Sequence, residues 1–92
     1  MADFFMIGKY SVKAIEAISP KRTEDAVTLI KEYGGSVKSM HAILGEKDLI
    51  FLISFPGIEQ AMKASIALSK STKIAFSTFP AVTVEEFDKI IG

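Results

Sequence analysis

The stretch Lys47–Phe55, KDLIFLISF, is apolar on both of its alternating sets of positions, with Leu49, Phe51, Ile53 and Phe55 on one parity and Ile50 and Leu52 on the other. In an extended strand the two parities point to opposite faces of a sheet, so this segment asks for apolar cover on both sides. Asp3–Tyr10 (DFFMIGKY) is β-rich and apolar on both parities as well. The fold is therefore constrained by how many covering layers the rest of the chain supplies.

With 92 residues the chain fits one domain, residues 1–92, and no more. Two helices are marked plainly. In the first, Ser19 caps, Pro20 suits the opening position and Gly34-Gly35 provides the stop, so the pattern predicts a helix over 20–33. Its face Ala26, Leu29, Ile30 and Tyr33 has amphipathic spacing. The second, Ile58–Thr72, follows Pro56-Gly57 and carries Ala61, Ala64, Ser65 and Ala67, small residues that allow close approach to a sheet.

Around these helices the remaining extended segments fall into order. Ser36–Leu44 and Lys47–Phe55 flank Gly45-Glu46 as a hairpin with a two- or four-residue loop. In that register Lys38, Met40, Ala42 and Leu44 share a face with Leu49, Phe51, Ile53 and Phe55, and Val37, Ser39, His41 and Ile43 share the other with Ile50, Leu52 and Ser54. Lys73–Pro80 is a fourth strand whose terminal proline belongs at an edge or strand end. Ser11–Ile18, with Val12, Ile15 and Ile18 at three-residue spacing, predicts a short helical turn. Thr83-Val84-Glu85-Glu86 is a capping box that opens a last helix through Ile91, with Val82 and Phe87 placed as its staple. The order predicts an α+β fold, the ferredoxin-like βαββαβ sandwich with an antiparallel four-stranded sheet and an extra C-terminal helix.

Two helices cover one face of such a sheet and leave the other bare. The open face has a footprint of about 400 Å² from strand spacing and length, the size of an interaction patch when contiguous and apolar. At about 25 cal/mol per Å² this amounts to on the order of 10 kcal/mol per subunit as an upper bound, before association costs of similar size. The expected partner is a second copy, giving a homodimer or higher homo-oligomer. The competing arrangement folds the C-terminal helix, with Phe87, Ile90 and Ile91, over the bare face.

Charge and composition remove several functions. Eleven basic and eleven acidic residues cancel, which leaves no basic surplus for nucleic acid or an anionic membrane. No apolar run is long enough to span a bilayer, and Met1-Ala2-Asp3-Phe4 lacks the basic start of a signal peptide, so a cytoplasmic protein is expected. The chain has no cysteine and one histidine, His41. This excludes thiol chemistry and a multi-histidine metal site within one chain, and neither a metal nor a cofactor is implied. Strand phenylalanines such as Phe4, Phe5, Phe51 and Phe55 have apolar neighbours instead of interleaved basic ones, which favours core packing over base stacking.

Candidate ligand-binding residues are few. His41 shares its face with hydroxyl and apolar residues, the lining of a small-molecule cavity, and competes with an ordinary strand histidine. Lys9 and Tyr10 close the first strand with an ammonium and a phenol, suited to an oxygen-rich ligand or to a snorkelling lysine and a rim tyrosine. Lys21 and Arg22 sit in the first turn of their helix against its dipole, where an anion docks or where solvated charge stands.

Gly8-Lys9-Tyr10 at the end of strand one, Ser19-Pro20-Lys21-Arg22 at the helix start, the Gly34-Gly35 stop and Leu44-Gly45-Glu46-Lys47-Asp48 before an apolar strand together resemble the GYD domain family, over Phe4 to about Phe87. The resemblance implies a small ferredoxin-like domain of the dimeric α+β barrel type and names no activity. Lys47 replaces the tyrosine of the family motif, while Gly45, Glu46 and Asp48 remain. From the residues alone Gly45 is a turn glycine and Glu46, Lys47 and Asp48 form a solvated hairpin tip. The functional expectation is a non-catalytic oligomeric domain binding a small ligand or a protein partner. The alternative is a cofactor-independent monooxygenase- or isomerase-like enzyme with His41 and Tyr10 facing a cavity at the dimer interface, an argument from fold analogy.

Overall fold

The computed structural model describes residues 1–92 as β1 (Ala2–Tyr10), α1 (Val12–Glu16), α2 (Pro20–Glu32), β2 (Ser36–Ala42), β3 (Leu49–Phe55), α3 (Ile58–Thr72), β4 (Ile74–Ala81) and α4 (Val84–Ile91). The four strands form one sheet in the order β2-β3-β1-β4, with every neighbouring pair antiparallel. This is the ferredoxin-like arrangement that the order of elements predicts. The doubly apolar strands β1 and β3 lie side by side at the centre, and Pro80 falls on the edge strand β4, where a missing N–H costs no ladder bond.

The helix side holds the core. Phe4 and Met6 of β1 and Phe51, Ile53 and Phe55 of β3 pack against Ala26 and Ile30 of α2 and Ala61, Ala64 and Leu68 of α3. Each large side chain so buried contributes about 1.5–3 kcal/mol of transfer free energy. The Phe4 and Phe55 rings meet edge to face, with centroids 5.9 Å apart. The small face of α3 turns to the sheet as its composition requires, and this nearness lets Thr78 donate to Ser65 at 2.8 Å and the Phe76 N–H donate to Ser69 at 3.1 Å. In exchange Ile58, Met62 and Ile66 face outward.

The punctuation of α2 works as expected. The Ser19 hydroxyl accepts from the Arg22 N–H at 3.1 Å, Pro20 opens the helix, and Gly34 adopts φ 80 just beyond its end. Gly35 then brings the chain hard against the core, because an added Cβ would lie 2.7 Å from both Ile30 and Phe55.

Two expectations are corrected, the facing of β2 upstream of its middle and the turn glycine of the hairpin, while the short helical turn, the loop length and the place of the last helix are decided in detail. A bulge between Val37 and Ser39 leaves Lys38 unpaired and sets Val37 opposite Ile53. Upstream of the bulge the parity therefore reverses: Val37 turns to the core side, and Lys38 pairs with Asp3 at 3.0 Å. In α1 the stripe Val12, Ile15 and Ile18 is more than half exposed, and Ala14 is the residue that is buried. A five-residue helix is little more than one turn, and its position is set by its cap: the Ser11 hydroxyl accepts from the Ala14 N–H and donates to the Lys73 carbonyl. At the hairpin the loop is the four-residue one, closed by the Ile43 N–H on the Asp48 carbonyl, and Leu44 takes the positive φ in place of Gly45. Finally, α4 does not cover the open face, since none of its residues is buried and Val84, Phe87, Ile90 and Ile91 are all more than half exposed.

Replacing Gly35 by alanine is expected to destabilise the domain by about 1–3 kcal/mol, the cost of forcing a methyl group into a packed core. Urea unfolding of the variant against the parent measures it.

Candidate functional site

At the end of β1 the alternation of the strand separates its last two side chains. Tyr10 turns to the helix side and Lys9 to the open face. What fixes this end is Asp48, which lies just before β3 and is buried although it follows a polar hairpin tip. Its carboxylate accepts from the Tyr10 N–H at 2.8 Å, and its own N–H donates to the Gly8 carbonyl at 2.9 Å. Lys9 closes the outside of the hook, with Nζ 3.5 Å from Asp48 Oδ2 and donating to the Gly45 carbonyl at 3.3 Å. The expected solvated tip thus holds for Glu46 and Lys47 and is corrected for Asp48, which is a structural acceptor for backbone that would otherwise be left unpaired.

With β1 held in this way, Tyr10 presents its ring beneath Arg22. The guanidinium carbon lies 5.5 Å from the ring centroid, within cation–π range, and Nη1 donates to the Ala14 carbonyl. Arg22 owes its place to the Ser19 cap, whose hydroxyl accepts from the Arg22 N–H in the first turn of α2. Between α2 and the sheet a cavity of about 200 Å³ opens under this pair. Its floor is buried and formed by Ala26, Phe51, Thr72 and Ile74; its walls are Met40, Leu49 and Phe76. The mouth is framed by Tyr10, Arg22, Thr23, His41 and Ala42. An apolar chamber with a few polar groups gathered at the rim is the usual form of a small-molecule site.

The structure brings three of the sequence-selected residues, Tyr10, Arg22 and His41, to one cavity and leaves two outside it. Lys9 points to the opposite face and is engaged by the hairpin. Lys21 is exposed and paired with Asp25 at 3.0 Å one helical turn on. His41 stands opposite Ile50 on the open face, is exposed, and has no side-chain hydrogen bond, so it meets the cavity only at the rim. Missed from the sequence were the cavity walls Met40, Leu49 and Phe76, which belong to three strands and carry no local mark other than apolarity.

The open face carries a second set of residues. Phe5, Ile7, Ile50, Leu52 and Phe79 share it, with Phe5 paired to Leu52 and Phe79 and Ile7 to Ile50. No helix lies over them. Its far end is polar: Asp3 accepts from Ser54 and Lys38, and these hydrogen bonds, the Ser54 one foremost, hold its carboxyl below the ordinary carboxylate value. No cluster of three or more metal-ligating side chains is gathered in the chain, and no helix is long and apolar enough to cross a membrane.

Replacing Asp48 by alanine is expected to cost about 1–3 kcal/mol, since it strands the Tyr10 N–H. Amide hydrogen exchange should show Tyr10 losing protection while the centre of β1 keeps it.

Comparison with known proteins agrees with this architecture. A solved structure, the leucine response regulatory protein (LrpA) of Mycobacterium tuberculosis, superposes with a TM-score of 0.58 at 11% identity. The match covers 90% of this chain and 51% of that one, so the chain spans about half the length of the regulator and shares its fold. A comparison with curated proteins gives no match. The family model of the GYD domain matches residues 4–91, nearly the whole length of β1 to α4. The chain therefore belongs to the GYD domain family.

Proposed function

We propose that this chain is a non-catalytic binding domain that pairs with a second copy through its open sheet face and holds a small ligand in the cavity between α2 and the sheet. The observation that carries the reading is the cavity itself, an apolar chamber whose one polar floor residue, Thr72, is spent on backbone and whose other polar groups stand at its mouth. Nothing inside it forms an acid–base pair. The enzyme alternative requires His41 within hydrogen-bond reach of another polar side chain in an enclosed pocket. His41 instead lies exposed at the rim and unbonded, which favours binding over turnover.

Self-association is supported by the uncovered apolar face. The footprint of about 400 Å² is half of the roughly 800 Å² per partner of a standard interface. The apolar stripe of α4, Val84, Phe87 and Ile91, continues from β4 and is the surface available to extend it. A second copy brings the same two surfaces, as a two-fold interface requires. The fold shared with half of a regulatory protein is consistent with a module that binds and associates.

Two measurements test the two parts of this reading. In sedimentation equilibrium the parent chain should run as a dimer or larger, and Leu52→Asp, a charge placed mid-face, should run as a folded monomer. A parent that stays monomeric at high micromolar concentration removes the pairing. For the cavity, benzyl alcohol titrated into the ¹⁵N-labelled chain should move the amide signals of Thr23, Met40, Leu49 and Phe51 together. Unchanged signals would remove the ligand site.

A further inference from the structure

Arg22 is the chain's only arginine. It is half-buried, its guanidinium has a single protein acceptor, the Ala14 carbonyl, and no carboxylate stands within ion-pair distance of it. All five ion pairs in the structure are made by lysines. Glu24 and Asp25, its neighbours in sequence, are exposed, and Asp25 is taken by Lys21. The cavity lining contains no acidic residue at all. A guanidinium offers five N–H donors in a planar fork suited to carboxylate, and here four of them have no partner in the chain. The Tyr10 ring lies beneath the guanidinium carbon at 5.5 Å, and its hydroxyl has no hydrogen-bond partner in the chain either.

Size and lining narrow the body of the ligand. An apolar cavity of about 150 Å³ accommodates benzene, so the 200 Å³ here holds one ring and a small substituent. Met40, Phe51 and Phe76 present a thioether and two ring systems to it, groups that pack well on an aromatic ring. The Phe51 and Phe76 rings are tilted against each other at 5.6 Å, and both line the cavity.

We propose that the cavity binds a single-ring aromatic monocarboxylate, its carboxylate held by Arg22 and the Tyr10 hydroxyl at the mouth and its ring seated among Met40, Leu49, Phe51 and Phe76. This rests on the binding reading above and adds the ligand's charge and shape. The carboxylate replaces solvent at donors that the chain leaves unused, and the ring leaves water for an apolar wall. A primary amine on the same ring meets a like charge at the mouth, and a neutral amide loses the fork-to-fork pairing.

The test is a titration of the full-length chain, followed by ¹⁵N–¹H spectra, with benzoate, benzamide and benzylamine in turn. Benzoate should shift the amides of Arg22, Thr23, Met40 and Leu49 with Kd of roughly 0.1–1 mM, an ordinary efficiency for so small a ligand. Benzamide should bind about tenfold or more weakly, and benzylamine more weakly still. In Arg22→Gln the preference for benzoate over benzamide should vanish, and Arg22→Lys, which keeps the charge and loses the fork, should fall between. The second variant decides the question if the first unfolds. Equal binding of benzoate and benzamide, or an Arg22→Gln chain that keeps the preference, overturns the carboxylate assignment and leaves the binding domain standing. No shift at these amides with any of the three rings overturns both.

Discussion

The central pairing of β1 with β3 sets the terms for everything else in this molecule. Both strands are apolar on both faces, and placed side by side they make a sheet whose middle repels water above and below. Two helices can reach only one of those faces within so short a chain. On that side Phe4, Met6, Phe51, Ile53 and Phe55 meet α2 and α3 and form the core; on the other, Phe5, Ile7, Ile50 and Leu52 remain uncovered. The apolar stripe of α4 stays clear of both. The core of the domain and its bare apolar face thus come from the same two strands, through alternate residues of each.

The cavity depends on how the ends of these elements are tied. Asp48 hooks the start of β3 to the end of β1, which fixes the direction of Tyr10. Ser19 starts α2 above that point and Ser11 docks α1 beside it, so that Arg22 can reach both the Tyr10 ring and the Ala14 carbonyl. None of these bonds is strong by itself. Together they hold an arginine over an apolar chamber without supplying it a carboxylate.

Much of the architecture is legible in the residues because it is set by local rules. The bounds of α2 follow from Ser19, Pro20 and Gly34, those of α3 from Pro56-Gly57 and its run of small residues, and the start of α4 from Thr83, whose hydroxyl accepts from the Glu86 N–H. Where a pattern was interrupted it misled, and where it was short it gave the element without its facing. Val12, Ile15 and Ile18 have helical spacing and yet face solvent, since a single turn is oriented by its anchors and not by its stripe. The bulge at Lys38 leaves no mark in the alternation, and it reverses the two residues upstream of it. Asp48 reads as a loop acid until β1 is laid next to it.

The sequence by itself determined the kinds of elements, their order and the excess of apolar strand surface, because caps, breakers and alternation act over a few residues. It also singled out Tyr10, Arg22 and His41 by their chemistry. Only the tertiary structure decided that Arg22 lies over the Tyr10 ring while Lys9 turns away and Lys21 is spent on Asp25, and that residues from three strands close a chamber beneath them. Such a site is made of side chains far apart along the chain, and their meeting is fixed by strand register and by one buried carboxylate, neither of which any local stretch of sequence encodes.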